Sequence, residues 1–278
     1  MQSPITIRFN PDFWSKDPCV LSYNRLPLLA NVVYDADYKD VTVKAQHSYP
    51  FHHPFEDGDV VFVKTDFLPW FLNMLKTDIG DSRFVLVTGV SDRTPSKEEC
   101  EAVLKNQRIL FWIGCNIPYT HHRIQKILIG VGEPSTPSGN LPLLKSLHEG
   151  RVPWNQKKDS ICIPYHGDTH SSRTRTPTLP KLPYEDYMCE ISKYKYVIVM
   201  RGSGMDTHRF SEVLLMGSVP IVQSSPLDDL YQQFPCIIVD SLDNVNPSEF
   251  VWDPVKYEEF LNMFWIRPTF VPVPMIRK

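Results

Sequence analysis

Short apolar runs bounded by turn residues recur along the chain, and their length separates strands from helices. Asp59-Val-Val-Phe-Val-Lys-Thr-Asp66 is the first clear strand, followed by Arg83–Gly89 and Ile109–Cys115. Between the first two, Phe67–Lys76 places Trp70, Phe71, Met74 and Leu75 at helical spacing. Ser96-Lys-Glu-Glu99 has the form of a capping box and opens a helix running through Leu104. Lys126–Val131 reads as a fourth strand, while Leu28–Tyr34 and Val41–Ala45 are shorter candidates upstream. The first thirty residues are otherwise irregular. The aromatic stretch from His47 to Phe55 reads as a loop, either lining an acceptor groove or simply packed on the surface.

In the second half, Leu141–Gly150 reads as a short helix and Arg151–Asp159 as a polar connector containing a proline. A boundary there divides the chain into residues 1–152 and 153–278. A strand over Ser160–Tyr165, a loop over His166–Pro183 and a helix over Tyr184–Lys195 follow. Tyr196–Met200 is short and β-branched enough for a buried strand. Arg201-Gly202-Ser203-Gly204 then forms a small-residue turn, with Asp206 or Ser203 as the N-cap of the next helix. On that helix Phe210, Val213, Leu214 and Gly217 share the core face, while Met205, Arg209, Glu212 and Met216 share another. Gly217 ends it, and Val219–Gln223 and Cys236–Asp240 are two more strands. Pro247–Trp265 reads as a terminal helix broken near Pro254. Strands alternating with helices imply an α/β fold with doubly wound parallel sheets.

In such sheets ligands sit beyond the carboxyl ends of the strands, over a helix N-terminus. There Arg201, Ser203, Gly204, Thr207 and Arg209 gather guanidinium, hydroxyl and backbone donors of the kind a diphosphate takes. Glu212, one turn in, could accept from a ribose diol; the competing reading is an Arg209–Glu212 pair on a solvated face. The loop Tyr165–Arg175 combines two arginines with hydroxyls, as either an anion clamp or a surface loop. Asp66 and Asp92 both stand at strand ends, where an aspartate serves chemistry or caps the next helix.

The segment Asp206-Thr-His-Arg-Phe-Ser-Glu-Val-Leu-Leu-Met-Gly-Ser-Val-Pro-Ile-Val222 is followed by a Leu-x-x-Leu-Tyr-x-x-Phe-Pro helix and a strand ending in Asp240. This resembles the exostosin-type glycosyltransferase signature, Arg-x-x-Glu and then Gly-Ser/Cys-x-Pro-Val/Ile-Val, over roughly the last third of the chain. The compact exostosin-like transferases of large algal viruses are the most similar in size. The resemblance implies two Rossmann-like domains facing a central cleft (the GT-B arrangement), with a C-terminal helix returning to the first. It further implies an inverting, metal-independent transfer from a UDP-sugar, UDP-xylose best, to a glycan that contains fucose, with no cofactor. Arg173 fits the family's arginine after the first strand of the donor domain, with Arg175 as rival; Arg201, Arg209 and Glu212 complete the donor site. An aspartate of the first domain, Asp92 or Asp66, would take the acceptor proton. Asp92 ends Thr-Gly-x-Ser-Asp, similar to a segment of many such transferases. His121 and His122 would lie near the cleft.

Composition narrows the field further. A net charge of -3 gives no electrostatic reason to expect nucleic acid or an anionic membrane. The N-terminus shows no signal-peptide pattern and no window reaches the length of a membrane span, so a soluble cytoplasmic protein is expected. Six cysteines without a C-x-x-C pair read as reduced, mostly buried thiols. Nine histidines include the adjacent pairs His52-His53 and His121-His122, without the i, i+4 spacing of a zinc site; Asp35-Ala-Asp37 has the letters of a metal motif in a poor context. Two rival functions remain open. Gly202-x-Gly204 after a strand suits a dinucleotide-dependent oxidoreductase but lacks its third glycine, and an aromatic content of 12% suits a carbohydrate-binding module.

Overall fold

The computed structural model describes residues 5–7, 23–34, 44–45, 56–77, 80–173, 176–243 and 245–264. Cys19, Asp35, Asp37, the segment from His47 to Phe55, Arg175 and Trp265 lie outside them. Two parallel sheets carry the architecture. The first comprises β1 (Val32–Tyr34), β2 (Lys44–Ala45), β3 (Val60–Lys64), β4 (Phe84–Gly89), β5 (Ile109–Gly114) and β6 (Ile124–Lys126), ordered β2-β1-β3-β4-β5-β6. The second comprises β7 (Lys158–Cys162), β8 (Tyr194–Val199), β9 (Val219–Gln223) and β10 (Ile237–Val239), ordered β10-β9-β8-β7. The fold is α/β, consistent with two Rossmann-like domains.

Up to Lys64 and Thr88 at their carboxyl ends, β3 and β4 are continuously apolar because both faces of the sheet are covered. Val61 and Val63 pack with α1 (Leu68–Thr77) and α2 (Lys97–Lys105). Val60 and Phe62 face the other way, onto Leu26 and Leu29 of a 3-10 segment, Tyr23–Leu29. The capping box forms as the sequence implies: Ser96 Oγ accepts from Glu99 N–H at 3.3 Å, and Glu99 Oε2 accepts from Ser96 N–H at 2.7 Å. After the second sheet's first strand come α4 (Tyr184–Ile191), α5 (His208–Leu215) and α6 (Asp228–Tyr231), one between each pair of strands.

The second sheet departs from a doubly wound pattern. Its strands follow one another in space as in sequence, so right-handed crossovers carry every helix to the same face. Met188, Phe210 and Leu230, one from each of α4, α5 and α6, accordingly share one core. The opposite face is covered by aromatic loop residues. Trp154 and Trp252 stack at 4.4 Å, and Trp154 and Phe250 each meet Tyr196 edge-on at 6.1 Å. In the first sheet α1 and α2 likewise share one face among the described residues.

Several boundaries shift for local reasons. Leu28–Tyr34 contributes only β1, because Ala30 N–H closes a turn onto Pro27 O. The strand expected over Lys126–Val131 is instead β6, which pairs Ile124 with Trp112. The apolar residues beyond it serve other purposes: Ile129 packs on the first sheet, whereas Leu128 and Val131 enter the second sheet's core together with Leu144 of α3 (Leu141–Glu149). Packing thus crosses the division at residue 152. The helix from Tyr184 stops at Ile191, since Lys193 O accepts from Lys158 N–H to begin the β7–β8 pairing. The terminal helix α7 (Pro254–Phe264) starts at a proline, a position that needs no N–H donor. Its Tyr257, Phe260 and Phe264 pack in the second sheet's core; the part described lies with that sheet's helices rather than against the first sheet.

Lys157, buried at the start of β7, donates to Ser192 O, Met216 O and Ser218 Oγ, filling the three donors of an ammonium. Burial, with Arg151 nearby, pushes its pKa down to about 7. Among the described residues no helix is long and apolar enough to cross a membrane. Cys100, Cys115, Cys162, Cys189 and Cys236 are free thiols, the first three buried.

Candidate active site

The carboxyl edge of the second sheet opens into a cavity of roughly 360 Å³. Arg201, at the end of β8, and Gln223 and Ser224, at the end of β9, line it with His170, Thr207 and Tyr231. Arg173 reaches this edge from the loop after β7. Its Nε donates to Arg201 O at 2.8 Å, Nη1 to Gly167 O at 3.2 Å and Nη2 to Met200 O at 3.5 Å. Arg209, in the first turn of α5, donates from Nη2 to Tyr165 O at 2.8 Å and from Nε to Tyr187 Oη at 3.2 Å. Its guanidinium also lies over the Tyr187 ring. The Arg201 side chain is exposed, and its guanidinium makes no hydrogen bond or ion pair among the described residues.

These arginines are therefore held by carbonyls and a phenol, not by carboxylates. Burial, and after it the Arg209 charge, push the Arg173 guanidinium below its ordinary pKa. Mutual repulsion of this kind is relieved by an anion placed between the cations. Thr207 N-caps α5 without a side-chain capping bond, and its buried Oγ1 has no hydrogen-bond partner. Ser203 is exposed in the turn.

Two expectations change here. Glu212 is not on a solvated face: it is 6% exposed, and its Oε2 accepts from Tyr187 O–H at 3.2 Å. Tyr187 thus links Arg209 to Glu212, and Glu212 is not among the residues lining the cavity. Burial raises the Glu212 pKa, and Arg209 opposes the shift most strongly. Asp206 and Ser203 do not cap α5; the cap position belongs to Thr207. Asp206 is 2% exposed and ties the two sheets together: it accepts from Ile129 N–H at 2.7 Å, Thr207 N–H at 2.9 Å and Tyr231 O–H at 3.1 Å.

The first sheet meets this edge at Gly204. A Cβ there would lie 3.0 Å from Asn116 Nδ2 and 3.3 Å from Asp92 O. Asn116, just beyond β5, accepts from Asp206 N–H at 2.8 Å. Both Asn116 and Val90 hold φ of 55°, a left-handed conformation that a β-branched valine adopts only under constraint. Val90 stands two residues before Asp92, so the strained backbone and the candidate base share one loop. Asp92 is exposed, as is Asp66 at the end of the neighbouring strand. Arg93 joins the two strand ends, donating to Thr65 O at 3.1 Å and to both Glu99 carboxylate oxygens at 2.6 and 2.7 Å.

The glycines have steric roles. A Cβ on Gly202 would come within 3.1 Å of Arg173 Nη2, so both close approaches at this turn are already occupied by protein groups. The His121 and His122 rings lie 4.1 Å apart, tilted by 34°, in the turn before β6; Arg123 on one side donates to Ile109 O at the start of β5, and Thr120 on the other donates to Asp229 Oδ2 of α6.

Sequence reasoning passed over Asn116, Arg93, Tyr187 and His170. Ser224-Ser225-Pro226 at the end of β9 was the most readable missed signal, being a polar small-residue cluster at a strand's carboxyl end. Among the described residues no group of three or more His, Cys, Asp or Glu is placed to hold a metal ion. Compared with known proteins, the chain matches no family model and no curated relative.

Proposed function

We propose that the protein is a glycosyltransferase that moves a sugar from a nucleoside diphosphate onto a glycan hydroxyl with inversion, in a GT-B arrangement. The observation that carries this reading is the set of arginines at the second sheet's carboxyl edge. Arg173 and Arg209 repel one another and neither forms a salt bridge with a carboxylate among the described residues, while the Arg201 guanidinium, beside the cavity, has no partner among those residues. A diphosphate leaving group supplies the missing charge. The motif Arg209-x-x-Glu212 followed by Gly217-Ser-Val-Pro-Ile-Val222, similar to the exostosin signature, points the same way.

In the reaction, Asp92 removes the proton of the acceptor hydroxyl as its oxygen attacks the anomeric carbon. The bond from that carbon to the diphosphate oxygen breaks on the opposite face, and the departing negative charge falls on Arg173, Arg201 and Arg209. Asp66 is the alternative base. Ser203, Gly204 and Thr207 add donors near the phosphates, and Glu212 acts on the donor site through Tyr187 and Arg209. Arginine cations meet the charge requirement without a divalent ion. By the same resemblance, the donor is a UDP-sugar, UDP-xylose first, and the acceptor a fucose-containing glycan.

The test is a thermal-shift screen with UDP, UDP-xylose, UDP-glucose, UDP-N-acetylglucosamine, GDP-fucose and NAD, each with EDTA, followed by turnover assays. UDP and one UDP-sugar should raise the melting temperature, as any ligand of the folded state must. Asp92→Asn should retain that shift and lose turnover by roughly 10²–10⁴-fold, whereas Glu212→Ala should lose the shift. A response to NAD alone would overturn the reading.

A further inference from the structure

His170 lies in the loop after β7 and lines the cavity beside Arg201 and Thr207. Its Nδ1 lies 3.1 Å from Ser172 N and 2.7 Å from Ser172 Oγ. A backbone N–H can only donate, so Nδ1 must present a lone pair to it. The neutral imidazole then carries its proton on Nε2, and the Ser172 hydroxyl is also a donor to Nδ1. Protonating Nδ1 would turn an N–H against the Ser172 N–H and break that bond, leaving only the Ser172 hydroxyl, with its role reversed to acceptor. Nε2 has no partner among the described residues.

We propose that His170 is a ligand-contacting residue, giving a fixed, uncharged N–H to a phosphate oxygen of the bound nucleoside diphosphate, with Ser172 as the positioning residue that sets the tautomer. The inference rests on the transferase reading of this cavity. Its chemistry differs from that of the arginines. Arg201 supplies charge from an exposed, unheld side chain, whereas the imidazole supplies one directed bond from a ring already fixed at its other nitrogen. A directed donor selects for an acceptor oxygen at one place, so His170 discriminates a diphosphate from the bare nucleoside.

The experiment uses the full chain and isothermal titration with UDP and with uridine. His170→Phe keeps a ring and loses the donor; His170→Gln keeps an N–H near the Nε2 position. A hydrogen bond to a charged oxygen predicts that His170→Phe weakens UDP about tenfold or more, changes uridine little, and that His170→Gln stays within about threefold of wild type. A long-range ¹H–¹⁵N spectrum of the wild-type imidazole should place the proton on Nε2. Equal UDP affinity in wild type and His170→Phe overturns the inference while leaving the transferase reading intact. So does an equal loss for UDP and uridine, His170→Gln binding as poorly as His170→Phe, or a proton found on Nδ1. A wild-type protein that binds neither UDP nor uridine overturns both readings together.

Discussion

Asp206 shows how far a single side chain can depart from what its position suggests. Next to a helix start, an aspartate ordinarily caps; here it is buried and accepts three hydrogen bonds from three different segments. Burial raises its pKa from 3.8 to about 6, against the pull of those bonds. Between these two values the folded protein binds a proton that the unfolded chain does not, so stability falls as pH rises through that window. The slope from this one group reaches about 1.4 kcal/mol per pH unit at most. Urea unfolding at pH 4.5 and pH 6.5 should show that decline in the wild type more strongly than in Asp206→Asn, which cannot titrate. An identical pH dependence in the two proteins would remove Asp206 as its source.

At the level of elements, the turn between β8 and α5 has two sides that must stay bare. Gly204→Ala would press a methyl group against Asn116, Asp92 and Asp206, two of which belong to the first sheet's loops. The expected cost is roughly 1–3 kcal/mol, with a loss of turnover greater than the loss of stability because the Asp92 loop moves. Gly167→Ala, with nothing within 4 Å of the added carbon, is the matched control and should leave the melting temperature unchanged. The far end of α5 is built differently. Gly217 has φ +65°, and its N–H and that of Ser218 close onto Leu214 O and Val213 O at 2.8 and 3.0 Å. This is a Schellman motif, and Gly217→Ala should cost roughly 1–2 kcal/mol, read by denaturant melts. Both helix ends around this fold's best signals were legible, Gly217 and Ser96 among them, because capping is decided within a few residues. The start of α5 was not, because Asp206 is claimed by Ile129 and Tyr231 from distant parts of the chain.

At the scale of the whole molecule, the sheets are joined by buried polar contacts as well as a shared core. Lys126 Nζ, at the end of β6, donates to Thr120 Oγ1 at 2.9 Å, and to Pro226 O and Asp229 Oδ1 at 2.6 Å each. Thr120 O–H in turn donates to Asp229 Oδ2 at 2.8 Å, and His208 Nδ1 meets Gly130 O at 2.9 Å. Lys126→Met leaves Pro226 O and Asp229 short of a donor, although Asp229 is partly exposed and regains water. A loss of roughly 1–3 kcal/mol is expected, together with faster amide exchange in α6. Unchanged exchange there would show that the apolar core alone holds the sheets together.

Local pattern determined much of this protein: β3, β4, β5, β8 and β9 as buried strands, the capping box of α2, the glycine turn, and the basic character of the second sheet's carboxyl edge. These follow from apolar run length, capping chemistry and residue type, each of which acts over a few positions. Tertiary structure decided what those rules cannot reach. Leu128 and Val131 read as strand residues but pack in the other sheet's core. Glu212 reads either as a ribose contact or as half of a solvated ion pair, but it is buried and bonded to Tyr187. Which of two apolar or polar uses a residue serves depends on what the chain brings against it from a hundred residues away, and a sequence period carries no record of that partner.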